Sequence, residues 1–380
     1  MNARERVAAV MRGEIPDRIP IGEYAVDCDT VEKVIGHETF LRAKAKSQLA
    51  FWDGRRDEVA QSWKEDMVEL HRKLPVYDVV NLAAQATTIL PPKGLPPVRY
   101  RKPDDVTYEL PNGDVYRYSE ATRDLTMVQR GAQAPAGEAG RPVDAQPVRP
   151  PDPSCFEVYD ALIPLFEDRY VIGASGPEVG LIDLGTTEET LLAYALEPEE
   201  SLAAARRALA DANQLDRFYV RPGIQAVLWG QDHSYLAGPM VSPELFRTLA
   251  LPVYASRVRN VKAVMGVSVF KHACGNNWPL LDMYVEAGFD TYQSIQASAG
   301  MDLGRVKKAY GDKLVLWGGM PLELLQAGTA AEVRKAVHDA VEAGRPGGRY
   351  IFGSSHSIAV GSRYDNVMVM LDEFARVAAY

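Results

Sequence analysis

Val269-Phe270-Lys271-His272-Ala273-Cys274-Gly275-Asn276-Asn277 reads as the end of a buried strand, Val267 to Phe270, running into a polar turn. Residues two apart on an extended strand point to the same face. His272 and Cys274 therefore aim an imidazole and a thiol at one point. One nitrogen and one sulfur ligand make a partial zinc set, with the remaining ligands to come from elsewhere in the chain. Gly275 follows at once as a turn residue and frees the chain for a helix. A second histidine, His356, comes at a matching place after a later strand, in Gly353-Ser354-Ser355-His356-Ser357.

Outward from this stretch, strand-like runs alternate with helical text. The runs are Ile19–Tyr24, Tyr77–Leu82, Tyr170–Ala174, Ala226–Trp229, 267–271, Asp290–Ile295, Leu314–Trp317 and Tyr350–Gly353. A helix starts near Ser242-Pro243-Glu244, with Ser as N-cap and Pro in the first turn. Strand followed by helix, eight times over, predicts an α/β fold of the (β/α)₈ TIM-barrel type, with chemistry at the C-terminal strand ends. An open doubly wound sheet is the alternative. The composition changes after the second strand. Asn112-Gly113 is a type I′ hairpin signal, and Asp114–Tyr118 alternates as a strand does. Residues 88–153 read as an antiparallel β insertion in a single domain spanning 1–380. The Ala/Gly/Pro-rich stretch 132–153 reads as a loop, and removal of 134–150 is expected to leave the fold intact.

The chain has 380 residues, 47% hydrophobic and 24% charged, with a net charge of -9. An acidic protein lacks the basic face that phosphate binding needs, which argues against a nucleic-acid partner. No apolar run approaches the roughly 18 residues of a membrane span. The N-terminus, Met1-Asn2-Ala3-Arg4-Glu5-Arg6, lacks an apolar signal region. The three cysteines, Cys28, Cys155 and Cys274, show no paired spacing, so a reducing, cytoplasmic location is expected.

The polar residues at the expected strand ends are Glu23, Asp78, Asp232, His272, Cys274, Gln293, Gln296 and His356. Across a barrel mouth, strands five and eight bring His272, Cys274 and His356 together as a three-ligand zinc site with an open position, the catalytic arrangement. Glu23 and Gln296 are candidates for the fourth place. The bland alternative for His356 is a capping or substrate-binding histidine without metal. Tyr235, Tyr292 and Trp317, with Gln296, are candidate substrate-binding residues lining a pocket for a flat or methylated molecule. Ordinary barrel packing also uses such aromatics.

These pieces resemble the uroporphyrinogen decarboxylase superfamily. The matching motifs are Gly238-Pro239-Met240-Val241-Ser242-Pro243-Glu244-Leu245-Phe246, His272-Ala273-Cys274-Gly275, Glu286-Ala287-Gly288-Phe289-Asp290, Leu314-Val315-Leu316-Trp317-Gly318-Gly319 and Gly353-Ser354-Ser355-His356 with Asp365-Asn366. True decarboxylases carry an arginine-rich segment near the N-terminus. The corresponding stretch here, Ile21-Gly22-Glu23-Tyr24-Ala25-Val26-Asp27, is acidic and would repel a substrate with many carboxylates. The resemblance is nearer the zinc methyltransferases that work with corrinoid (cobalamin) proteins in methylthiol synthesis and O-demethylation. Their motif is His-x-Cys plus a later Cys, and here His356 stands at or near that later position.

The resemblance implies zinc, a corrinoid protein as partner and a small methylated substrate or methyl acceptor. Tetrahydrofolate is a candidate acceptor and a homodimer the candidate assembly. It also implies proton handling by Glu23, Asp78 or Asp232. The competing expectations are a decarboxylase-like lyase without metal and a non-catalytic corrinoid- or metal-handling protein.

Overall fold

The computed structural model describes residues 1–85, 89–131, 148–179 and 188–380. The first strand, β1 (Val79–Asn81), is followed by β2 (Thr107–Glu109), β3 (Val115–Ser119) and β4 (Asp124–Gln129), then by β5 (Tyr170–Gly173), β6 (Ala226–Trp229), β7 (Ser268–His272), β8 (Thr291–Ser294), β9 (Val315–Met320) and β10 (Tyr350–Ser354). Seven of them form one curled sheet in the order β1-β5-β6-β7-β8-β9-β10, every pair parallel. Helices such as Leu251–Met265, Leu281–Ala287, Leu303–Tyr310 and Ala330–Gly344 connect successive strands.

Strand alternation divides the side chains between two cores. Val79, Ile172, Ala226, Phe270, Val315, Trp317 and Ile351 fill the inside of the curl, joined by Val7 and Val10 of the helix Ala3–Arg12. Val171, Val227, Val269, Tyr292, Leu316 and Phe352 belong to the larger core shared with the helices. Burial on both faces explains why these strands read as near-continuous apolar runs.

The closed eight-stranded barrel expected from the sequence is corrected to a TIM-barrel-like curl of seven laddered strands. Residues 19–22 lie between β10 and β1 but form no ladder. Ile21 makes a single parallel bridge to Phe352. The Phe352 N–H donates to Pro20 O, the Gly22 N–H to Phe352 O, and the Asp78 and Val79 N–H groups to Ile21 O. Pro20 has no N–H to donate, which limits the pairing of so short a segment.

The insertion holds a three-stranded antiparallel sheet, β2-β3-β4. Its Tyr108 and Tyr116 pack on Trp52 of the helix Lys44–Trp52. The expected type I′ turn is not formed. Leu110 N–H donates to Asp114 O across a three-residue loop, and only Gly113 of that loop has a positive φ, +87°. A type I′ turn needs positive φ at both central residues, whereas a three-residue loop needs one such residue, usually Gly. The expectation for 134–150 lies, as far as residue 147, outside the described residues. Among the described residues, no helix is long and apolar enough to cross a membrane.

Candidate metal centre

β6 and β7 pair with Trp229 opposite Lys271. The chain leaving β6 therefore hangs beside the turn leaving β7, and Asp232 comes next to the His-x-Cys pair. The Cys274 Sγ lies 3.4 Å from His272 Nε2. Asp232 Oδ1 accepts the Cys274 N–H at 2.7 Å and stands 3.9 Å from His272 Nε2. One ligand atom from each of Asp232, His272 and Cys274 lies within 4.8 Å of the other two. The His272 side chain is 5% exposed and that of Asp232 is 44% exposed, so the cluster is walled on one side and open on the other.

Burial holds the His272 imidazole well below its ordinary range, at about 4, against the opposing pull of Asp232 and Gln293. At neutral pH the ring is neutral and has a lone pair to give. Burial also pushes the Cys274 thiol up to about 12, and the Asp232 carboxylate raises it further against a Ser294 hydrogen bond. A thiol in that setting keeps its proton until a cation displaces it, and metal binding inverts that preference. Imidazole, thiol and carboxylate together form a donor set that fits zinc with one position open.

The turn beyond Cys274 is held from several directions. Asn277 Nδ2 donates to the carbonyls of Ala273, Cys274 and Gly275 at 3.1, 2.7 and 3.2 Å. Gln296 Oε1 accepts the Gly275 N–H at 2.9 Å. Gly275 has φ +81°, and a Cβ there would lie 2.4 Å from Ser234 O, so no other residue fits. On the opposite face of β7, the fully buried Lys271 bonds Glu178 Oε1 and Gln231 O, both at 2.6 Å, fastening the loop that carries Asp232.

The other residues singled out from sequence fall into three groups. His356 is brought to the centre, with its ring 6.1 Å from that of His272 and nearly perpendicular to it. It lies outside the three-atom cluster, however, and bonds Ser357 Oγ through Nδ1 at 3.0 Å. Among the described residues, the third donor atom close to both His272 and Cys274 belongs to Asp232. Gln296 supports the turn, and the half-exposed Tyr235 immediately precedes the Leu236–Gly238 bend.

Four residues are placed elsewhere than expected. Asp78 precedes β1, at the N-terminal end of the parallel sheet and therefore away from His272. Its carboxylate is taken up by Arg6, by Arg18 and by the Ile21 N–H at 2.6, 2.8 and 2.9 Å. Glu23 faces the helix layer, bordering a small cavity of about 20 Å³ with His71 and Tyr77. Its Oε2 accepts the Ser354 N–H at 2.9 Å. Tyr292 is fully buried, gives its hydroxyl to Ala273 O at 3.1 Å, and packs against Tyr284. Trp317 is fully buried inside the curl, with Nε1–H on Gly22 O at 2.8 Å. The cause in each case is strand phase or strand end, which composition does not report.

Sequence reasoning missed Tyr24 as a site residue, and with it the part played by Gln293. The Tyr24 ring stacks on His272 at 4.0 Å and 25°. Period-2 alternation next to Glu23 carried that information, but the choice of phase did not. Burial holds the Tyr24 hydroxyl up at about 12, so it stays protonated. Gln293 was visible as a polar residue inside an apolar strand, and is fully buried against His272.

Residues 189–377, just under half of the chain, match the family model described as uroporphyrinogen decarboxylase (URO-D). Among solved structures, the chain is similar to a methyltransferase from Methanosarcina mazei, with 15% identity, 99% of each chain covered and a TM-score of 0.62. That likeness is one of fold. A Penicillium canescens endo-1,4-β-xylanase also aligns, over 52% of this chain and 67% of its own, at 11% identity and a TM-score of 0.31. No curated protein matches the sequence.

Proposed function

We propose, for a chain whose residues 189–377 match the uroporphyrinogen decarboxylase family model, a zinc-dependent methyl transfer between a small methylated molecule, a corrinoid protein and an acceptor such as a thiol or folate. The observation that carries this reading is the Asp232–His272–Cys274 cluster at the ends of β6 and β7. A decarboxylation that runs without metal has no use for a buried thiol and a neutral imidazole sharing one open point. The M. mazei methyltransferase, similar in fold over the whole chain, supports the same reaction class.

His272 Nε2, Cys274 Sγ and an Asp232 oxygen would hold the ion. Bound there, zinc supplies Lewis acidity that keeps a thiolate available at neutral pH or takes up the charge of a leaving alkoxide or phenoxide. The chain's own residues do the rest. Asn277 and Gln296 keep the Cys274 turn in place. Tyr24 covers one face of His272 and keeps water off it. His356, one ring away, orients the reacting molecule and is not a ligand in this reading.

A decarboxylase-like lyase is the second reading, favoured by the family match. Arg42 and Asp27, both in electrostatic reach of His356, weigh against it, because they pair with each other at 2.8 Å, so that the Arg42 charge is already matched before a substrate carboxylate arrives.

Metal analysis of the purified protein tests the proposal. About one zinc per chain is expected, lost in His272→Ala and in Cys274→Ala and kept in His356→Ala. Methyl transfer from methylcobalamin to a thiol should follow the zinc content. Full zinc retention in both the His272 and the Cys274 variants would end the reading.

A further inference from the structure

We infer that Gln293 is a positioning residue that fixes His272 in its Nδ1–H tautomer and so presents Nε2, with its lone pair, to the metal position. The inference rests on the zinc reading above for its purpose but not for its geometry.

β7 and β8 pair with His272 directly opposite Gln293. Both side chains are buried inside the curl, and Gln293 is fully so. Gln293 Oε1 is hydrogen-bonded to His272 Nδ1. Which way the amide points is decided at its other end, where Nε2 lies 3.2 Å from the carbonyl of Ser354. A carbonyl oxygen only accepts, so the –NH₂ group must face Ser354 and the amide oxygen must face the imidazole. An amide oxygen also only accepts, so His272 Nδ1 must carry the hydrogen. The neutral ring then has its lone pair on Nε2, the nitrogen 3.4 Å from Cys274 Sγ.

The anchor at Ser354 is itself held. Its N–H donates to Glu23 Oε2 at 2.9 Å, and its hydroxyl bonds the same carboxyl group. Ser354 also stands in the β9–β10 ladder, opposite Met320. The Tyr24 ring stacked on the face of the imidazole opposes rotation out of this position. A backbone carbonyl on β10 thus sets, through one amide, which nitrogen on β7 is free to bind a metal. In metal proteins the hydrogen bond to the second ring nitrogen fixes the tautomer, and its loss typically costs 10–100-fold in metal affinity.

Two measurements test this. In metal-free wild type labelled with ¹⁵N-histidine, long-range ¹H–¹⁵N correlations should show His272 protonated at Nδ1, with His272→Asn assigning the signal. Gln293→Met keeps the length and bulk of the side chain and removes both hydrogen bonds. It should let the Nε2–H tautomer appear and weaken zinc, read by competition with a chromophoric chelator, by about 10–100-fold. A wild-type His272 protonated at Nε2 would overturn the inference. So would a folded Gln293→Met that keeps wild-type zinc affinity, since a packing role alone predicts that result. Should Gln293→Met fail to fold, the wild-type spectrum still decides. Should wild type bind no zinc, the function proposed above fails, and the spectrum tests the tautomer separately.

Discussion

Asp78 and Asp232 are both carboxylates beside strands of one parallel sheet, and they do opposite things. Asp78 lies at the N-terminal end with its side chain 1% exposed, clamped by Arg6 and Arg18 and by a backbone N–H. Its charge is neutralised and its acceptor sites are occupied. Asp232 lies beyond the C-terminal end of β6, where its side chain is 44% exposed and, among the described residues, Oδ1 accepts only the Cys274 N–H at normal hydrogen-bond distance. Capacity is left over, and it points at an imidazole and a thiol. Saturation of its partners marks a carboxylate that holds the fold together. Spare capacity beside other soft donors marks one that can take a ligand.

Removing the saturated partner should have the largest effect on stability. Asp78→Ala leaves Arg18 without its carboxylate partner and Arg6 with Asp17 alone, a change that costs about 3–5 kcal/mol in buried pairs. Urea unfolding should show the loss, and the folded fraction should still bind one zinc per chain. Zinc loss at unchanged stability would instead tie Asp78 to the metal centre.

Asp232→Asn should do the reverse. It keeps the size of the side chain and an oxygen for the Cys274 N–H but removes the charge. Stability should shift by no more than about 0.5–1 kcal/mol, as at other partly exposed sites, while zinc binding weakens clearly in the chelator competition. An unchanged zinc affinity would return the third ligand position to His356.

Glu23 stands between the two cases, and its expected effect shows in how stability changes with pH. Burial raises its carboxyl from 4.5 to about 8, against the hydrogen bonds from Ser354. Its Oε1 takes no hydrogen bond from the described residues. From about pH 4.5 to 8, the unfolded chain releases this proton while the folded chain keeps it. The group's contribution to stability therefore falls as pH rises through that window and levels off above it. Glu23→Gln cannot titrate. The melting temperature of the variant relative to wild type should climb from pH 5 to pH 8, and a flat difference would show that Glu23 is ionised in the fold.

Much of the site was legible. The His272-x-Cys274 spacing on a strand end needed only the two-residue period of an extended chain, and the pair does face one point. The strand-helix alternation located all seven laddered strands. The third donor was less accessible. Asp232 and His356 are equally plausible from sequence, because each follows a strand. Only the adjacency of β6 to β7, and the N–H of Cys274 reaching Asp232, distinguishes them. The positions of Glu23, Tyr292 and Trp317 away from the cluster share one origin. A strand buried on both faces carries no polar-apolar alternation to tell inside from outside.

From the sequence alone followed the class of fold, the acidic character that speaks against nucleic acid, and the imidazole-thiol pair. These depend on local periodicity and composition, which are properties of short stretches. Tertiary structure alone decided that Asp232 completes the cluster, that Asp78 is an anchor, that Tyr24 and not Glu23 meets His272, and that Gln293 bonds its Nδ1. Each of these depends on which strand neighbours which, in what register and phase, and such contacts join residues 21 to 248 positions apart in the chain.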